Sequence, residues 1–167
     1  MGLQHTIFDD AVTKTYADAR YALGIVRLDP LTGKSYRFVK LVDQDGAVGK
    51  MTVAASPTTW YVTTDFDNSL TGGNLIAGLR PIGMLLGTVD ISEEPYCWLQ
   101  ISGITTFTAG SAAIIAGDIL IPDSGSDGAL TEVANSAHGD DINACAYALA
   151  TVADGATGLC RLINLPQ

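Results

Sequence analysis

Short stretches of alternating apolar and polar residues, separated by turn-forming residues, run along most of the chain. Residues 34–42 show the pattern, because Tyr36 and Phe38 fall on one face of an extended strand. Arg37 and Val39 fall on the other face of the same strand. Such stretches, joined by turns that are rich in Asp, Gly and Pro, predict an all-β protein with about ten short strands.

The first segment of the chain, residues 1–20, has no clear period, and we expect it to form an extended N-terminal arm. Glycines interrupt the centres of several predicted strands, and repeated glycines of this kind favour a strongly curved sheet. We therefore predict a small β-barrel over residues 21–167. Its strands are predicted at residues 21–29, 34–42, 47–54, 60–66, 79–91, 96–107, 119–122, 129–134, 143–152 and 157–165.

The last two predicted strands flank a turn at Asp154-Gly155. Pairing about this turn places Cys145 opposite Asn164 and Cys160 opposite Leu149, which predicts no disulfide between the two cysteines. The chain has three cysteines and no signal-peptide pattern at its start. Both features are typical of a protein that is made in a reducing cytoplasm.

Composition excludes several classes of protein. Of the 167 residues, 47% are hydrophobic and only 16% are charged, with a net charge of −9. A disordered acidic tail would be less hydrophobic, and no run of about 18 apolar residues is present to span a membrane. With 9 basic residues against 18 acidic ones, we expect no binding to nucleic acid through its phosphates.

Charge is divided unevenly along the chain. Residues 1–50 carry seven basic and six acidic side chains, a net charge of +1, whereas residues 51–167 carry two and twelve, a net charge of −10. One interpretation is chance together with a solvated acidic face, and the other is that the first third contacts an acidic partner. The candidate contact residues are then Lys14, Arg20, Arg27, Lys34, Arg37 and Lys40.

The residue types that carry chemistry do not form a known kind of site. The loop Asp123–Gly128 resembles a calcium-binding loop, but Gly125 and Ala134 stand where such a loop needs side-chain oxygens. The CxxC and HExxH spacings of zinc sites are absent, and the chain has no GxSxG nucleophile elbow to accompany His138. We therefore predict no enzymatic activity, no metal and no cofactor.

Five segments of the chain form an ordered set within residues 21–165. They are GKSYRFVKLVD (33–43), RPIGMLLGTV (80–89), YCWLQISG (96–103), AGDILIP (116–122), and AYALATV followed by CRLINL (146–165). Taken together, they resemble the small capsid decoration, or cement, proteins of tailed bacteriophages.

This resemblance implies a β-tulip-like barrel without catalytic activity that lies on the outer surface of the capsid, often as a homotrimer. It also implies an N-terminal arm that reaches across neighbouring subunits of the major capsid protein. The expected function is that of a structural virion protein, made in the host cytoplasm, that stabilises contacts between these subunits. Its expected partners are the major capsid protein and further copies of itself.

A second hypothesis is a receptor- or carbohydrate-binding barrel, such as the base of a head fibre. Trp60, Tyr61 and Trp98 would then form an aromatic platform or a protein interface. Packing in the core is, however, the commoner role of aromatic residues in strands. A small hydrolase or lyase built on a β-barrel is a third hypothesis and ranks last.

Overall fold

The computed structural model describes residues 10–41, 54–55, 60–63, 70–71, 80–90, 93–110, 112–123, 126, 129–133 and 144–163. These residues form strands and no helix, so the predicted all-β class is confirmed, and none of them belongs to a helix that could cross a membrane. The strands are β1 (Val26–Leu28), β2 (Ser35–Lys40), β3 (Ala54–Ala55), β4 (Trp60–Thr63), β5 (Leu70–Thr71), β6 (Arg80–Leu85), β7 (Val89–Asp90), β8 (Tyr96–Gln100), β9 (Gly103–Thr108), β10 (Ile119–Pro122), β11 (Leu130–Glu132), β12 (Ala146–Ala148) and β13 (Thr157–Leu162).

The larger sheet has six strands in the order β1-β2-β8-β6-β4-β5, and its neighbouring strands are antiparallel. The strands β2 and β8 are buried on both faces. Phe38 lies opposite Trp98 on one face, and Val39 lies opposite Cys97 on the other. These two strands therefore form a layer between two apolar clusters. A separate two-stranded sheet pairs β3 with β7.

The smaller sheet has five antiparallel strands in the order β11-β10-β12-β13-β9. It curls until its edges meet, and Ala109, which follows β9, forms a parallel bridge with Leu130 of β11. The Gly110 amide donates a hydrogen bond to the Leu130 carbonyl oxygen at 2.7 Å. The barrel-like curvature belongs to this sheet, and no closed barrel of the whole domain is seen among the described strands. Its inner face buries apolar side chains such as Phe107, Ile114, Leu120 and Leu130.

The single strand predicted over residues 96–107 is wrong, because the chain forms two strands there, β8 and β9, in different sheets. Gly103 stands at the break with a φ of 88°, a left-handed conformation that glycine adopts readily. The Gln100 side-chain amide donates hydrogen bonds to the carbonyl oxygens of Ser102 at 2.9 Å and Ile104 at 3.1 Å. These bonds fix the chain on both sides of the step from one sheet to the other.

The last hairpin pairs β12 with β13 in a register that differs by one residue from the prediction. Cys160 lies opposite Ala148 rather than opposite Leu149. Val152 pairs with Ile114 rather than with a residue of β13, so the connection is longer than the predicted two-residue turn. The three cysteines of the chain are buried and free.

Replacing Gly110 by alanine is expected to destabilise the closure of the smaller sheet. A Cβ atom at this position would overlap the Asp123 carboxylate and lie 2.8 Å from Asp123 Cβ. Overpacking of this kind costs about 1–3 kcal/mol in the free energy of unfolding, which urea denaturation measures.

Gly117→Ala is the matched control for this change. A Cβ atom there would meet no other atom within 4 Å, and only the strain of a φ of 99° applies. That strain costs about 1 kcal/mol. Equal losses of stability in the two variants would show that the contact with Asp123 does not constrain position 110.

Candidate functional site

Part of the predicted N-terminal arm lies beside the start of β8. The Tyr16 amide donates a hydrogen bond to the Tyr96 carbonyl oxygen at 2.9 Å, and the Tyr96 amide donates one to the Tyr16 carbonyl oxygen at 3.1 Å. This reciprocal pair is an antiparallel bridge at the start of β8. The described part of the arm is therefore held against the larger sheet from Asp10 onward.

Aromatic packing also holds the described part of the arm to the sheet. The ring centroids of Tyr16 and Phe38 are 5.8 Å apart, and the Tyr21 ring lies 5.2 Å from both Phe38 and Trp98. Edge-to-face and tilted pairs of this kind contribute about 0.5–1.5 kcal/mol each beyond the area that they bury. Trp98 is 0% exposed and belongs to the core, so it does not form part of a surface platform.

Trp60 and Tyr61, the other two candidate aromatic residues, lie in β4. Their side chains are outside the described part of the structure. No described contact favours the carbohydrate-binding alternative, because the one candidate whose surroundings are described, Trp98, is buried.

The Asp10 carboxylate forms ion pairs with two basic side chains of the arm. Its Oδ1 atom lies 3.0 Å from Lys14 Nζ, and its Oδ2 atom lies 3.3 Å from Arg20 Nε. The hydroxyl groups of Tyr16 and Tyr21 donate hydrogen bonds to Oδ2 at 2.8 and 3.0 Å. These bonds, above all those from Tyr16 and Lys14, lower the pKa of Asp10 from 3.8 to about 2.

Arg27 joins the same group of charges, because its Nη1 atom donates a hydrogen bond to the Asp10 carbonyl oxygen at 2.7 Å. We call Asp10, Lys14, Arg20 and Arg27 the basic cluster. One carboxylate and three cations give the basic cluster a net charge of +2. The structure thus brings together three of the six basic residues that the sequence singled out.

The other three candidate basic residues lie elsewhere. Lys34 packs against the backbone of Gly103, where an added Cβ atom would lie 2.9 Å from Lys34 Cγ. Lys40 is half-buried, with Nζ 5.9 Å from the centre of the Tyr96 ring. Arg37 is only 1% exposed, and burial lowers the pKa of its guanidinium group. Arg37 is therefore not on the surface that the predicted contact with a partner requires.

The hairpin formed by β1 and β2 exposes large apolar side chains. Leu31, at its tip, is 94% exposed and Leu28 is 63% exposed, and Ile25 and Val26 add two further apolar groups. We call residues 25–34 the exposed hairpin. Because β1 is an edge strand of the larger sheet, the exposed hairpin has no described strand on its outer side.

Hydrogen bonds hold the tip of the exposed hairpin in one conformation. Asp29 Oδ1 accepts a bond from the Leu31 amide at 3.0 Å, and Oδ2 accepts one from the Thr32 hydroxyl at 2.6 Å. Gly33 has a φ of 68°, and its amide donates a hydrogen bond to the Asp29 carbonyl oxygen at 2.9 Å. Leu31 is thus presented to solvent on a fixed turn. A cleft of about 230 Å³ lies beside the hairpin, lined by Val26, Ser35, Ile101 and Ser102.

Neither Asp10 nor the leucines of the exposed hairpin are among the residues that we expected from the sequence to be functional. The spacing of Asp10 and Lys14, four residues apart, was a visible signal for an ion pair. Leu31 follows Pro30 in a predicted turn, and an apolar residue at the tip of a turn is a signal for an exposed contact.

The described residues contain no group of three or more His, Cys, Asp or Glu side chains that could hold a metal ion. Burial raises the pKa of all three thiols, that of Cys160 to about 12, which keeps them protonated. The two candidate loops of the sequence analysis, residues 123–128 and the acidic loop around His138, lie largely or wholly outside the described residues.

Comparison with known proteins gives little information on identity. No protein-family model matches the chain, and no curated protein matches it. Among solved structures, the chain is similar to the head fiber gp8.5 N base of bacteriophage phi29. The match has 10% sequence identity and a TM-score of 0.46, and it covers 79% of this chain and 95% of that chain. A likeness at this level carries no argument about function.

Acid is expected to release the arm from the larger sheet. Because the pKa of Asp10 is lowered from 3.8 to about 2 in the folded protein, its stabilising effect is complete above pH 3.8 and disappears as the pH falls through about 2. The ring proton resonances of Tyr16 and Tyr21 report the change by nuclear magnetic resonance.

Asp10→Asn separates this effect from the titration of other carboxylates. The variant removes the ion pairs with Lys14 and Arg20 at every pH, so we expect its tyrosine resonances to be shifted already at pH 7. A step between pH 4 and 2 that is the same in the variant and in the unchanged protein would show that another group controls the arm.

Proposed function

We propose that this chain is a capsid decoration protein that binds the outside of an assembled phage head and stabilises contacts between subunits of the major capsid protein. The ordered set of sequence segments over residues 21–165 suggests this class. The observation that carries the proposal is the exposed hairpin beside β2, with Leu31 94% exposed on a fixed turn.

Rigid presentation of apolar side chains is what a contact with a preformed lattice needs. Burying a leucine side chain completely contributes about 1.5–3 kcal/mol relative to leaving it exposed. Because Asp29 already fixes the turn around Leu31, binding loses little further conformational freedom. The cleft lined by Val26 and Ile101 offers a place for an apolar side chain of the partner.

Electrostatics adds a preference for an acidic partner surface. The basic cluster carries a net charge of +2 around Asp10, and Lys34 lies at the end of the turn of the exposed hairpin. Cations around an apolar contact mainly raise the rate of association and select the partner. We therefore expect binding to weaken as the salt concentration rises.

Stabilisation of the head follows from mass action. A protein that binds only the assembled lattice lowers the free energy of that state relative to dissociated subunits. Many copies act on one shell, so each contact can be small. We propose the outer capsid surface as its location and the major capsid protein as its partner, with a homotrimer as the bound form.

The test is binding to expanded capsids that lack the decoration protein, prepared from the phage that encodes the chain. Replacing both Leu28 and Leu31 by serine removes the apolar contact without touching a buried group. We expect co-sedimentation to show at least about a tenfold loss of affinity, less than complete burial of two leucines would give.

Ile115→Ser is the matched control for the leucine substitutions. Ile115 is 61% exposed and lies in the loop before β10, outside the exposed hairpin. Full binding by the double leucine variant would exclude the hairpin as the contact. Failure of the unchanged protein to bind the capsids would contradict the proposed function itself.

A further inference from the structure

The exposed hairpin is held by few backbone bonds. Among the described strands, β1 has three residues, pairs with β2 alone and lies at the edge of the larger sheet. The Phe38 amide donates a hydrogen bond to the Ile25 carbonyl oxygen at 3.0 Å. The Asp29 amide donates one to the Lys34 carbonyl oxygen at 2.8 Å. Segments with few contacts open at the lowest cost in free energy, so a further attachment matters for the position of this hairpin.

Arg27, the middle residue of β1, attaches the exposed hairpin to the arm. Its Nη1 atom donates a hydrogen bond to the Asp10 carbonyl oxygen at 2.7 Å. A hydrogen bond whose donor carries a full charge is stronger than one between neutral groups. Because the acceptor is a backbone atom, the bond depends on where the arm lies.

This attachment lies on the face of the sheet that the arm covers. Arg27 is opposite Tyr36 of β2, and Phe38, two residues further along β2, packs against Tyr16 of the arm. Leu28, the next residue of β1, points to the opposite face and is 63% exposed, whereas Arg27 is only partly exposed. The strand thus contacts the arm with one face and presents an apolar side chain on the other.

The packing of the arm fixes the acceptor of the Arg27 bond. The Asp10 carboxylate accepts hydrogen bonds from the hydroxyl groups of Tyr16 and Tyr21. Tyr16 forms the antiparallel bridge with Tyr96 at the start of β8. The Asp10 carbonyl oxygen is therefore in place for Arg27 when the arm is docked against β8.

Arg27 also lies beside the turn that presents Leu31. Asp29 is two residues after Arg27, and its carboxylate accepts hydrogen bonds from the Leu31 amide and the Thr32 hydroxyl. The bonds from Thr32 and Leu31, with a smaller effect of the Arg27 charge, lower the pKa of Asp29. One arginine thus lies between the arm and the carboxylate that fixes the turn.

We propose that Arg27 is a positioning residue that couples the arm to the exposed hairpin, so that docking of the arm against β8 and binding of a partner by the hairpin strengthen each other. The sequence suggested Arg27 as a direct contact with an acidic partner, whereas in this arrangement it acts through the arm. Coupling of two sites is reciprocal, so each stabilises the other by the same factor. The partner is that of the proposed function, and the coupling rests on that function for this point alone.

Hydrogen exchange of the full chain, measured without a capsid, tests the coupling. Arg27→Met removes the donor and its charge and keeps an unbranched apolar stem. We expect the amides of Tyr16 and Tyr96, which are bonded to each other's carbonyl oxygens, to exchange about fivefold faster in this variant. A structural role confined to β1 would instead speed exchange of the Phe38 amide and leave the amides of the arm bridge unchanged.

Lys34→Met is the matched control for this change. Lys34 is also a cation of the exposed hairpin, but its stem packs against Gly103 rather than against the arm. The substitution removes the same charge, and we expect exchange of the Tyr16 and Tyr96 amides to stay as it is in the unchanged protein.

The reverse direction is tested from the arm. Asp10→Asn removes the ion pairs of the arm and leaves the backbone acceptor of Arg27 in the chain. Because the arm is then less firmly docked, we expect the Phe38 and Asp29 amides of the hairpin ladder to exchange about fivefold faster.

Capsid binding distinguishes a positioning role of Arg27 from a direct contact. Arg27→Met should weaken binding about fivefold in the unchanged background and have little further effect in the Asp10→Asn background, where the arm is already loosened. Lys34→Met should weaken binding by the same factor in both backgrounds, because Lys34 does not act through the arm.

Three results would overturn the proposal. The first is unchanged exchange of the Tyr16 and Tyr96 amides in Arg27→Met. The second is equally faster exchange of these amides in Arg27→Met and Lys34→Met, which would attribute the effect to charge alone. The third is an equal loss of affinity from Arg27→Met in both backgrounds, which would make Arg27 a direct contact. Failure of the unchanged protein to bind capsids would contradict the proposed function, and the exchange rates would still decide whether the arm and the hairpin are coupled.

Discussion

The burial of β2 and β8 on both faces is the constraint from which the described surfaces follow. Phe38 and Trp98 on one face are covered by Tyr16 of the arm and by Tyr21, which follows the arm. The arm must therefore lie beside β8, which leaves its charged side chains to assemble around Asp10 at the surface. On the other face an apolar cluster that contains Leu99 covers the strands. The strand β1 forms an edge of the larger sheet, and the hairpin that carries Leu31 projects from this edge.

Alternation of apolar and polar residues predicted which strands form but not which of their faces are buried. Each predicted strand overlaps an observed one, but the single strand predicted over residues 79–91 is wrong, because β6 and β7 form there in different sheets. The strand β5 was not predicted. Alternation distinguishes a buried face of a strand from an exposed one. It gives no signal when both faces are buried, as in β2. For that reason Arg37, which we expected to contact a partner, lies in the core. The reverse holds in β9 and β13, where Ile104 and Leu159 are apolar and yet point outward.

Contacts that are distant in sequence set the features that the pattern did not reveal. Gly103 is one of the glycines that interrupt a predicted strand, but the step from one sheet to the other depends on which strands pair with β8 and β9. The register of the last hairpin depends on Val152, which pairs with Ile114 and so lengthens the turn. Local propensity predicts neither the strands that pair with β8 and β9 nor the pairing of Val152 with Ile114. The basic cluster is a similar case, because Arg27 reaches Asp10 only when the arm and the hairpin are folded together.

The exposed apolar side chains of the hairpin and of the smaller sheet account for part of the low charge content of the chain. Only 16% of the residues are charged, and apolar side chains are exposed both on the hairpin and, at Ile104, Tyr147 and Leu159, on the smaller sheet. At physiological ionic strength the net charge of −9 is screened beyond about 8 Å. Under the proposed function, an acidic partner surface that comes within this distance meets the cations of the basic cluster rather than the average charge of the chain. In the proposed function, local charge selects the partner, and burial of the exposed leucine side chains supplies the affinity.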